Sequence, residues 1–126
     1  MILPDTSVWI DHFGSPLPAL SEAMIRAEVY AHPYAVTELA LGSISGRAAV
    51  LDLLDDLPVP LVASSAELRQ LLDSHDLASR GIGYVDLSLL ASTLFHPGTT
   101  LWTSDKRLHA CAVRAGVPVA NPRTRH

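Results

Sequence analysis

Four acidic residues carry the clearest chemical signal in the sequence, because each closes or interrupts an apolar stretch. Asp5 follows Met-Ile-Leu-Pro, Glu38 lies within Ala-Val-Thr-Glu-Leu-Ala, Asp86 within Gly-Tyr-Val-Asp-Leu-Ser-Leu-Leu, and Asp105 follows Thr99 to Ser104. Hard divalent cations such as Mg²⁺ and Mn²⁺ take oxygen ligands, usually a few carboxylates together with water and substrate phosphate. Four acids brought to one place would repel one another unless a cation offset their charge, so convergence would favour a metal site. Taken singly, each acid has a second explanation, since carboxylates also favour helix N-termini through capping and the macrodipole.

The elements that must position these acids alternate between short strands and helices. Met1 to Pro4 forms an apolar run that ends at Asp5, after which Val8, Trp9 and Ile10 form the apolar side of a helix. Pro16 and Pro18 break the next stretch, and Ser21 is expected to cap a helix over Glu22 to Ala27. Thr37-Glu38 begins another helical pattern, and Arg47 to Leu57 carries apolar positions at helical spacing until Pro58. Val59 to Val62 reads as a strand, and Ser64 with Glu67 three positions later matches a capping box.

Gly81 and Gly83 mark a turn, Tyr84 to Phe95 is helical, and Thr99 to Thr103 favours a strand that stops at Ser104-Asp105. A helix from about Lys106 to Ala115 ends at Gly116, before a last short strand over Val117 to Val119. Strands alternating with helices predict an α/β fold with a parallel sheet covered on both faces, because parallel pairing requires crossover connections. Ligands bind such sheets beyond the carboxyl ends of the strands, where Asp5 and Asp105 fall.

A chain of 126 residues suits one domain spanning residues 1–126. Hydrophobic residues make up 48 % of it and mean hydropathy is +0.26, so some apolar surface is available for a partner. The first residues lack the apolar core of a signal peptide, and no apolar run reaches the roughly 18 residues of a membrane helix, which predicts a cytoplasmic protein. Cys111 is the only cysteine, so neither an internal disulfide nor a thiolate zinc cage forms within one chain. Histidines 12, 32, 75, 96, 109 and 126 lack metal-ligand spacing and are expected at the surface or in packing roles. Nine basic against thirteen acidic residues give a net charge of −4, which argues against a general polyanion-binding surface unless the acid excess is concentrated at a cation site.

Four motifs in order along nearly the whole chain resemble the PIN-domain ribonucleases, in particular the VapC-type toxins of toxin–antitoxin pairs. They are Ile2-Leu3-Pro4-Asp5-Thr6-Ser7-Val8-Trp9-Ile10, Thr37-Glu38-Leu39-Ala40-Leu41-Gly42, Gly83-Tyr84-Val85-Asp86 and Leu101-Trp102-Thr103-Ser104-Asp105-Lys106-Arg107-Leu108. The resemblance implies a PIN-like three-layer fold with a short parallel sheet flanked by helices. It also implies that Asp5, Glu38, Asp86 and Asp105 bind one or two Mg²⁺ or Mn²⁺ ions and hydrolyse RNA to 5′-phosphate and 3′-hydroxyl ends.

By the same resemblance Thr6 and Thr103 would donate to the carboxylates and fix their orientation, with backbone capping as the alternative. Arg80, Lys106 and Arg107 flank the acids and would hold RNA phosphates, or else serve as solvated surface charge. A homodimer and inhibition by a cognate VapB-type antitoxin are also implied, with no direct DNA binding and no membrane association. Pro4 departs from the aliphatic residue expected before Asp5 and removes a possible ladder hydrogen bond.

Competing patterns are less complete. Gly81-Ile82-Gly83-Tyr84-Val85-Asp86 lacks the third glycine of a dinucleotide fingerprint, and Gly42-Ser43-Ile44-Ser45-Gly46 has isoleucine where a nucleophile elbow has serine. A receiver-like or aspartyl phosphotransfer domain would use Asp5, but Ser7 stands where a second early aspartate is wanted, and the only lysine, Lys106, directly follows Asp105. A noncatalytic partner-binding PIN module is the other alternative, and all four acids being present argues against it.

Overall fold

The carboxyl ends of two paired strands organise the molecule, in a computed structural model that describes residues 1–123. His126 lies outside the described residues. The elements run β1 (Ile2–Pro4), α1 (Thr6–Gly14), α2 (Pro18–Ile25), α3 (Pro33–Leu41), α4 (Arg47–Asp55), α5 (Ser65–Ser74), α6 (Tyr84–Phe95), β2 (Thr100–Trp102), α7 (Lys106–Arg114) and β3 (Val119–Ala120). The strands form a parallel sheet in the order β1-β2-β3, with Ile2 opposite Thr100, Pro4 opposite Trp102 and Leu101 opposite Val119. A further parallel bridge joins Ile2 to Val29 at the outer edge.

Alternation along the strands divides the core between the two sheet faces. Leu3 and Leu101 pack with Leu68, Leu71, Leu87, Leu90, Leu108 and Cys111, so α5, α6 and α7 cover one face. Ile2 and Trp102 pack with Val8, Trp9, Leu20, Ala23, Leu39 and Leu54, so α1 to α4 cover the other. The expected α/β fold with three layers is therefore found. Leu101 is fully buried at the middle of the sheet, where truncation to alanine would cost about 2–5 kcal/mol.

Pro4 fits without loss because of this register. Met1 accepts from Thr100 and the Asp5 N–H donates to Trp102, whereas Ile2 turns its N–H and carbonyl outward to Glu28 and Tyr30. Residue 4 would also face outward, at the point where the outer bridge ends, so its missing N–H breaks no bond to β2. The strand position that Pro4 placed in question is kept.

Several boundaries differ from the sequence expectation for local reasons. The helix expected over Glu22 to Ala27 instead starts at Pro18 and ends at Ile25, and the one expected from Thr37-Glu38 starts at Pro33. Both prolines sit where a helix has an unpaired N–H to spare, and so begin a helix rather than only break one. Ile10 is 56 % exposed, leaving Val8 and Trp9 as the buried residues of that expected apolar face.

No strand forms over Val59 to Val62. Pro58 and Pro60 remove alternate donors, so the segment is tethered from outside. The Leu61 N–H donates to His96 Nε2, Ser92 Oγ donates to the Leu61 carbonyl, and the Ala31 N–H donates to the Pro58 carbonyl. The Ser64–Glu67 capping box opens α5, and Gly116, at φ 72°, ends α7 in the left-handed conformation. Among the described residues no helix is long and apolar enough to cross a membrane.

Candidate active site

Three of the four acids lie at helix N-termini. Asp5 directly follows β1 and caps α1, its Oδ1 accepting from the Val8 N–H at 2.9 Å. Asp105 follows β2 by three residues and caps α7, its Oδ1 accepting from the N–H groups of Arg107 and Leu108. Asp86 lies in the first turn of α6, behind Gly83. The partial positive ends of three helices thus bear on the carboxylates, so capping and clustering occur together. Glu38 differs from the first-turn expectation: it is the sixth residue of α3, and the side chain is exposed.

Asp5 is 2 % exposed and almost completely hydrogen-bonded. Ser7 Oγ donates to its Oδ1 at 2.6 Å, and Thr103 Oγ1 donates to its Oδ2. The Asp105 N–H donates in turn to Thr103 Oγ1 at 2.9 Å, so one hydroxyl links two acids 100 positions apart in sequence. Burial raises the Asp5 carboxyl above its ordinary value, against the lowering effect of the Ser7, Thr103 and Val8 hydrogen bonds, and Asp105 raises it further. On the opposite wall, Thr6 Oγ1 donates to Glu38 Oε1 at 2.6 Å.

Asp86 is in a different condition. It is half-buried, and among the described residues no hydrogen bond reaches its carboxylate. Burial, followed by the charges of Asp5, Asp105 and Glu38, pushes its carboxyl up to about 6. Asp86 is therefore within electrostatic reach of the other three acids. Even so, among the described residues no three His, Cys, Asp or Glu side chains stand close enough, as placed, to grip an ion in common. The arrangement suits a hydrated hard cation, with water between some carboxylates and the ion, and the all-oxygen donor set is of the right kind.

The expected basic residues gather beside Asp105. Arg80, Lys106 and Arg107 line an open concavity of about 510 Å³ on α7, and Arg114, which the sequence reading did not single out, completes its rim. Arg80 is tied to Asp76, which also accepts from Arg114 at 2.8 Å. Arg107 passes over Gly81, whose φ of 80° and lack of Cβ admit the close approach.

Ser7 and Ser104 were also missed. Ser104 Oγ donates to Ser7 Oγ at 3.0 Å, with Asp11 Oδ2 as an alternative acceptor at 3.4 Å, and Arg123 pairs with the same Asp11. Each serine adjoins a threonine already singled out, in Asp5-Thr6-Ser7 and Thr103-Ser104-Asp105, and that mirrored pattern was the available signal. Histidines 12, 32 and 96 accept backbone N–H groups, which is a packing role.

No family model matches the chain. Ribonuclease VapC32 of Mycobacterium tuberculosis, from strains CDC 1551 / Oshkosh and ATCC 25618 / H37Rv, is 44 % identical over 120 residues, covering 95 % of this chain and 97 % of the relative. Among solved structures, that of FitAB bound to an IR36 DNA fragment matches with a TM-score of 0.67 and 20 % identity, over 100 % of this chain and 99 % of that one. At that identity the structural match speaks for the fold.

Proposed function

The chain belongs to the VapC ribonuclease family, and from that membership we propose a metal-dependent endoribonuclease toxin that hydrolyses RNA at Asp5, Glu38, Asp86 and Asp105. The observation that carries this reading is the setting of Asp86, half-buried, with no hydrogen bond to its carboxylate among the described residues and with Asp5, Asp105 and Glu38 as charged neighbours. A fold that gathers like charges around a carboxylate leaves a place for a cation from outside.

A bound Mg²⁺ or Mn²⁺ would supply a water of lowered pKa and positive charge at the scissile phosphate. The chain's own groups have separable tasks. Thr103 and Ser7 fix both oxygens of Asp5, and Thr6 fixes Glu38, so the carboxylates keep one orientation. Asp86, partly protonated near pH 6, holds a proton that cation binding would release. Arg80, Lys106 and Arg107 would hold backbone phosphates on the Asp105 side.

A cognate antitoxin and a second copy of the chain are the proposed protein partners. Exposed apolar side chains such as Ile25, Leu61 and Val113 offer surface for them to cover. An RNA target implies work in the cytoplasm. The test is RNA cleavage with Mn²⁺ by the wild type and Asp5→Asn: metal-dependent cleavage lost in the variant supports the site, and undiminished or metal-independent cleavage rejects it.

A further inference from the structure

A second groove reaches the acids at Glu38 and shares no lining residue with the basic concavity. It measures about 510 Å³ and is lined by Tyr34, Thr37, Glu38, Leu41, Tyr84 and Val85. Glu38 is the only charged residue in that lining. Tyr34 lies one turn before Glu38 on the same face of α3, and Tyr84, the first residue of α6, brings its ring to that face from the neighbouring helix while Asp86, two residues on, lies outside the groove lining.

The two rings are 6.1 Å apart and inclined by 31°, too close for a third ring to slide between them. Tyr34 is buttressed by His32, whose ring meets it edge-on at 5.1 Å and whose Nδ1 accepts the Tyr34 N–H. Tyr84 is 58 % exposed, and Leu41 beyond it is 83 % exposed. A ring held from behind and open in front is a stacking surface, since any nucleobase offers a π-face to it.

We propose that Tyr84, backed by Tyr34, is the platform on which one unstacked base of the RNA rests beside the cleavage site. The proposal builds on the ribonuclease reading and assigns the Glu38 side of that site a task. A base suits this groove better than a phosphate, because its one charge is negative, whereas Arg80, Lys106, Arg107 and Arg114 line the separate basic concavity. The RNA strand would thus meet the acids with its backbone held at the basic concavity and a base stacked in the Glu38 groove. An acidic peptide would meet Glu38 unfavourably.

The experiment pairs Tyr84→Ala with an abasic nucleotide placed in turn at each position flanking a mapped cleavage bond of an RNA oligonucleotide. Tyr84→Ala should raise KM on the order of tenfold, and Tyr84→Phe should stay within about twofold of wild type. At one position the abasic nucleotide should cost the wild type a similar factor and cost Tyr84→Ala almost nothing more. Losses that multiply at every position overturn the platform alone, as does wild-type cleavage by Tyr84→Ala. A fall in sedimentation coefficient with the abasic penalty intact would make this face a protein contact and also overturn it. No RNA cleavage by the wild type would overturn the platform and the ribonuclease reading together.

Discussion

Asp76 and Asp86 are both aspartates on the same small domain, and their surroundings are opposite. Asp76 accepts from Arg114 and Arg80, and these two guanidiniums hold its carboxyl below the ordinary value. Asp86 has burial and three carboxylates around it, and its carboxyl is pushed up. A carboxylate that serves the fold is matched by cations of its own chain. Asp86 is left unmatched, and the deficit is what a divalent ion from solution would fill.

The largest effect that separates the two is on turnover. Asp86→Asn should lower Mn²⁺-dependent RNA cleavage by about 100-fold or more, whereas Asp76→Ala should leave it within a few-fold, as measured by initial rates on one RNA. Next in size is Thr103→Val, which leaves a buried Asp5 oxygen without its donor. It should weaken Mn²⁺ affinity by about 10- to 100-fold and cost about 1–3 kcal/mol of stability, read by titration and by denaturant unfolding.

Stability against pH sharpens the contrast further. Because Asp86 is raised in the folded state, the stability tied to its protonated form is fully present below the ordinary value of 3.8 and is lost as pH rises through about 6. Asp76 is lowered, so its contribution is present above 3.8 and is lost as pH falls through the folded value. In metal-free protein at pH 7, Asp86→Asn should therefore stabilise, by about 1 kcal/mol once solvent screening of a half-buried group is allowed for. Asp76→Ala should destabilise slightly, the smallest effect of the set. Thermal melts of both variants check that their effects have opposite signs at pH 7 and that the Asp86→Asn gain shrinks at pH 4.

The parts of this arrangement that could be read from the sequence are those set by neighbours along the chain. Apolar runs stopping at Asp5 and at Ser104-Asp105 located two strand ends, and the Ser64–Glu67 box located a helix start. Pro18 and Pro33 misled because a proline marks a helix start as readily as a break. Val59 to Val62 misled because β-favouring side chains cannot replace the N–H groups missing at Pro58 and Pro60. The Thr103–Asp5 bond joins residues 98 positions apart, and the Tyr34–Tyr84 pair likewise depends on how α3 and α6 meet. Contacts of that kind follow from packing, which residue patterns fix only through the completed fold.

Cation capture by the unmatched acids is read most directly by calorimetric titration of the intact metal-free protein with Mn²⁺ between pH 5 and pH 8. Saturable binding is expected, with proton release and an affinity that falls as pH drops through about 6, and that is lost in Asp86→Asn. Absence of saturable binding, or binding indifferent both to pH and to Asp86, would contradict it.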